Sequence, residues 1–149
     1  MITKMIRKIS FILFGVIVLG FSFSALTAQQ SVFQLEIAEG GGYTGSVRGY
    51  TIGSDGKVTH WQKLGKDESV LSVTSLPVTE VQQLADLLSS KDMPGDGYSM
   101  SGNITRIITL TNNDGTKSWT WCPYMSSVSP QAKSLNDIYR KILLSIVTD

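Results

Sequence analysis

Histidine and cysteine, the residue types that most often carry catalysis or hold metals, occur once each in this chain of 149 residues. With Cys122 alone, no disulfide can close within the chain, so a fold of this size rests on packing. Its thiol lies in Trp119-Thr120-Trp121-Cys122-Pro123, where burial as a small hydrophobe is the expected role. With His60 alone, no set of protein ligands at zinc spacing is available, and a Ser-His-Asp triad needs that one residue. No Gly-x-Ser-x-Gly elbow surrounds any serine. Excess charge of one sign is missing as well. The 13 Lys+Arg face 12 Asp+Glu, which argues against the basic stripe of a nucleic-acid binder.

What is present begins with a leader. Lys4, Arg7 and Lys8 open a basic start, Ile9 to Phe23 is almost unbroken apolar sequence, and Ala25-Leu26-Thr27-Ala28 follows. This order is that of a secretory signal, read as residues 1–28, with cleavage nearer Ser24 or Ala25 as a variant. An uncleaved membrane anchor is the competing reading of the same run. No cysteine lies near the cleavage region to support a lipid anchor. The expected location is periplasmic or extracellular. Residues 29–149 form one domain's worth of chain, enough to bury a core. They keep 10 basic against 12 acidic residues, a net charge of −2 that suggests neither nucleic acid nor an anionic membrane as partner.

Alternating runs predict strands at Val32–Ala38, Ser46–Ile52 and Lys57–Trp61, the last two joined through Asp55-Gly56, a strong hairpin signal. Ser69–Val73 reads as a short edge strand or an extended connector. Val81, Leu84, Leu87 and Leu88 recur at helical spacing after Pro77, with Thr79-Glu80-Val81-Gln82 in capping-box register. Ser89 to Gly97 is a loop rich in breakers. A second hairpin runs from Ile104–Leu110 through Asp114-Gly115 to Thr116–Trp121. Ser129-Pro130 then starts a helix with Leu135, Ile138, Ile142 and Ile146 as its stripe, ending about Ile146. No strand–helix–strand rhythm appears. The fold class expected is α+β: an antiparallel sheet of four to five strands with two amphipathic helices on one face.

The one feature that fold-building does not need is Gly40-Gly41-Gly42-Tyr43-Thr44-Gly45, set between two strands. So many glycines are entropically costly to order, which points to positive φ or to a close backbone approach. A phosphate cradle requires a helix after the glycines, or Gly-Lys-Ser/Thr; here a strand follows, with Arg48 the nearest cation. The carboxylates Asp67, Glu68, Asp92, Asp96 and Asp114 all fall in turns or breaks, where they serve as turn formers. Trp61, Trp119, Trp121 and Tyr50 are read as cross-strand packing in the sheet. No catalytic constellation, cofactor or metal site emerges, so the expectation is a non-enzyme. The candidate partner-binding residues are Gly41, Gly42, Tyr43, Thr44 and Gly45.

Gly41-Gly42-Tyr43-x-Gly45 after a first strand, a second strand ending near an Asp-Gly turn, Leu76-Pro77 with Glu80 before a helix, and the Pro130 helix together resemble emfourin. Emfourin is a small inhibitor of thermolysin-like metallopeptidases, and the resemblance runs from about Val32 to Ile146. It departs in the leader, in a third glycine at Gly40 and in a longer Lys91–Gly102 loop. The resemblance implies noncovalent occlusion of a secreted zinc peptidase's cleft, with Tyr43 presented by the glycine loop. The Asp55-Gly56 turn and the Lys91–Gly102 loop are candidates to complement it. The alternative is an exported binding module with another surface partner and no inhibitory activity.

Overall fold

The computed structural model describes residues 32–42, 44–91 and 93–147. The leader and Tyr43 lie outside the described residues. In chain order the elements are β1 (Gln34–Gly41), β2 (Ser46–Gly53), β3 (Lys57–Leu64), β4 (Asp67–Ser75), α1 (Val78–Leu88), β5 (Ser99–Met100), β6 (Ile104–Asn112), β7 (Gly115–Trp121), a 3₁₀ turn (Pro123–Ser127) and α2 (Pro130–Val147). Among these residues the strands form one seven-stranded sheet in the order β4-β3-β2-β1-β6-β7-β5.

The α+β class stands, but the sheet is larger than four to five strands and is mixed. Two elements account for the difference. β4 is a full nine-residue strand, and every residue in it is exposed. An edge strand with no buried face leaves little alternation to read, so Ser69–Val73 reads only as a short edge strand or connector, and pairing with β3 reveals its full length. β5 is two residues of the long loop laid parallel against β7, through Ser99↔Thr120 and Met100↔Trp121. That pairing is wholly tertiary. The remaining pairs are antiparallel.

The registers bring Leu35, Ile52 and Val58 into one row across the sheet, and Ile37, Ile108 and Trp119 into another. These side chains are buried together with Val81, Leu84 and Leu88 of α1 and Leu135, Ile138 and Ile142 of α2, so one core joins the sheet to both helices. The Val81 and Ile142 stripes read from helical spacing are therefore the packed faces. At α2, the Ser129 hydroxyl accepts from the Ala132 backbone N–H at 3.2 Å, the N-cap that Ser129-Pro130 predicts. At α1 the capping-box expectation fails. The helix begins at Val78 with Pro77 in the cap position and no side-chain cap, which leaves Thr79 inside the first turn. Proline fixes φ for helix entry, so the helix starts two residues too early for Thr79 to cap it.

No helix among the described residues covers the sheet's other face. There Trp61 lies against Gly49, where an added Cβ would come 2.8 Å from the indole and 2.4 Å from the Ile37 carbonyl oxygen. The Trp61 indole N–H donates to the Thr51 hydroxyl at 3.0 Å. Trp119 and Trp121 are buried in the core instead. Cys122 is buried too, its sulfur beneath Gly102, where an added Cβ would stand 2.6 Å away.

Candidate functional site at the loop end of the sheet

Strand directions sort the links into two ends. β1, β3 and β7 run toward one end, and β2, β4 and β6 run away from it. The Gly42–Gly45 link, the Gly65-Lys66 link and Ser101–Asn103 all sit at that first end. The Ser54–Gly56 and Asn113-Asp114 turns sit at the other. Of the two links considered as complements of the glycine loop, the Lys91–Gly102 loop thus reaches it, through its last residues, whereas Asp55-Gly56 is a full strand length away.

The glycines behave locally as positive-φ residues and as points of close approach. Gly41 closes β1 at φ +117°, and a Cβ there would lie 2.2 Å from the Asn103 carbonyl oxygen. The next residue, Gly42 at φ +72°, donates its N–H to that same carbonyl at 2.6 Å. Gly45 at φ +61° returns the chain into β2, and the Thr44 hydroxyl accepts from the Ser46 N–H at 3.4 Å. Glycine accordingly costs little here, while an L-residue at Gly41 meets both strain and a carbonyl. Gly41, Gly42, Thr44 and Gly45 are all exposed at the loop end. Ser46 pairs with Leu64, which sets the Gly65-Lys66 link beside Gly45. The result is a row of backbone: Gly65-Lys66, then Gly45, Thr44 and Gly42, then Asn103.

Directly beneath this row lies a polar cluster. Glu39 of β1 is flanked by Arg48 of β2 and Arg106 of β6. Arg106 donates through Nε to a Glu39 carboxylate oxygen at 2.6 Å and through a terminal nitrogen to the Asn136 side-chain oxygen. Its guanidinium also lies 4.7 Å from the ring centroid of Tyr139. Tyr139 in turn meets Trp121 edge-on at 5.8 Å. Burial, with Glu39 repulsion adding and Arg106 opposing, pushes the Tyr139 hydroxyl up to about 12, so it stays protonated at neutral pH. Tyr50 and His60 stack at 4.4 Å across β2 and β3. Two depressions of about 260 and 310 Å³ share Glu39 and Arg48; one opens toward Tyr50 and His60, the other toward Gly40, Gly41 and Thr44. Arg48 has no ion-pair partner among the described residues.

Sequence reading singled out the loop but passed over this cluster. The signal was available: Glu39 is in phase with Leu35 and Ile37, and Arg106 with Ile108 and Leu110. A charge on the apolar phase of a strand implies a partner on a neighbouring strand. Among the described residues no three of His, Cys, Asp and Glu gather as metal ligands, and no helix is long and apolar enough to cross a membrane. No protein-family model matches the chain, and no curated protein matches it in sequence.

Proposed function

We propose that the chain is an exported, noncatalytic binding domain whose loop end seats in the cleft of a thermolysin-like zinc metallopeptidase and blocks it. The observation that carries the reading is the hydrogen bond from Gly42 to the Asn103 carbonyl. It joins the glycine link to the long loop, so that separate connections act as one ridge. A ridge of exposed backbone, free of bulky side chains at Gly41, Gly42 and Gly45, can approach a partner's backbone closely. The Glu39–Arg106 pair holds the strands beneath it and limits the entropy lost on docking. The resemblance of Gly41-Gly42-Tyr43-x-Gly45 to emfourin supplies the peptidase as the class of partner.

The test is cleavage of a peptide substrate by a thermolysin-like enzyme, with and without residues 29–149. Inhibition is expected, weakened by Gly42→Val and by Tyr43→Ala. Asp55→Ala, at the far end of the sheet, should leave it intact. Full activity of every such enzyme tried, including one from the same organism, would overturn the proposal. A loop-dependent partner that is not a peptidase, recovered by pull-down, would favour the binding module without inhibitory activity.

A further inference from the structure

We infer that β4 is a self-pairing edge, through which two copies of this chain join their sheets antiparallel about a two-fold axis. The two sheet edges differ sharply. On one side β5 is only two residues long, too short to template a partner strand. On the other, β4 offers nine exposed residues, with Val70, Leu71 and Val73 exposed by 61, 51 and 55%. Protected edges use proline, interior charge, brevity or a bulge to prevent pairing, and of these β4 carries only the bulge. β4 has no proline, and its only charges, Asp67 and Glu68, stand at its start.

The pattern is self-complementary because of a bulge. The β3–β4 register shifts between His60 and Trp61, so that Val70 lies opposite Trp61 and Val73 opposite Thr59. Trp61 and Thr59 are two apart on β3, so Val70 and Val73 share the helix-free face although they are three apart. An axis passing between Leu71 and Ser72 sets Val70 against Val73 of the second copy, twice, and Ser69 against Thr74. Glu68 then falls opposite Ser75 of the second copy, well away from its own counterpart. Within one chain Glu68 already pairs with Lys63, and Ser75 with Lys57. In the dimer each Glu68 is bracketed by Lys63 of its own chain and, across one serine, by Lys57 of the other. The apolar row Ile107, Ala38, Gly49, Trp61, Val70 would also continue over the seam instead of ending at a wet edge. Such an axis, perpendicular to the sheet, points the two glycine loops in opposite directions, so the pairing neither requires nor obstructs the peptidase reading.

Sedimentation equilibrium on residues 29–149, which hold every core residue among the described residues, tests this directly. The expected mass is twice that of the chain at micromolar concentration, falling to one chain in Val73→Lys and in Val70→Lys, with circular dichroism unchanged. Mixing Val70→Cys with Val73→Cys protein under oxidation should give the cross-linked heterodimer, with little cross-linking of either variant alone. A monomer in the unsubstituted protein would overturn the inference. So would a dimer that survives both lysine substitutions, or cross-linking of either cysteine variant to itself alone.

Discussion

Glu39 and Arg106 face each other across β1 and β6, joined by a 2.6 Å hydrogen bond from the arginine Nε to the carboxylate. The side chains are 38 and 21% exposed, which places the pair between a surface ion pair and a buried one. It ties the central strand to its neighbour just below the glycine loop, while Asn136 and Tyr139 tie the same guanidinium to α2.

Removing Arg106 should therefore cost more than an exposed pair is worth. Arg106→Ala leaves Glu39 unpaired and uncovers the Tyr139 ring, for an expected loss of about 1–2 kcal/mol, between the surface and buried cases. Urea unfolding measures it. A loss indistinguishable from zero would mean that the pair is solvated in practice.

The raised Tyr139 hydroxyl makes stability depend on alkaline pH. The unfolded tyrosine ionises near its ordinary 10.0, whereas the folded one holds its proton to about 12. Below pH 10 both states are protonated and the contribution is complete. As pH rises from 10 toward 12 the unfolded state releases its proton first, so stability falls across that window. Tyr139→Phe should flatten this part of the pH–stability curve, and thermal midpoints recorded from pH 8 to 12 would show whether it does.

The two adjacent glycines should respond unequally to alanine. At Gly41 the new methyl group meets both a positive φ and the Asn103 carbonyl oxygen at 2.2 Å; at Gly42, also at positive φ, it meets open space. Strain of about 1–3 kcal/mol applies at both positions, and a clash of about 1–3 kcal/mol is added at Gly41. Gly41→Ala is thus expected to unfold at clearly lower urea than Gly42→Ala. Equal midpoints would indicate that Ser101–Asn103 yields freely.

Gly49 can be probed by fluorescence. Its alanine variant drives a methyl into the Trp61 indole and the Ile37 carbonyl, at 2.8 and 2.4 Å. We expect about 1–3 kcal/mol of destabilisation and a red shift in emission as Trp61 lifts from the sheet, since Trp119 and Trp121 stay in the core. An unchanged spectrum would show that the ring does not rest on Gly49.

The parts of the fold that could be read in advance were those written in local period or turn chemistry. Val81-Leu84-Leu88 and Leu135-Ile138-Ile142 mark helix faces because every third or fourth residue must enter the core. Asp55-Gly56 and Asp114-Gly115 mark turns because glycine tolerates positive φ, here +88° and +130°. β4 was only half legible, because an exposed edge has no buried phase to display. Glu39 and Arg106 are 67 residues apart and gain meaning only from their register.

By itself, then, the sequence determined the α+β class, both helix faces, the hairpins and the glycine link, all encoded in residues close together along the chain. Tertiary structure alone decided which links share an end of the sheet. It set Gly42 against Asn103 and carried Asp55 to the opposite end. It also placed Arg106 between Glu39 and Tyr139 and left β4 as a long open edge. Strand order and register arise from which distant edges meet when the core closes, and no local pattern fixes that choice.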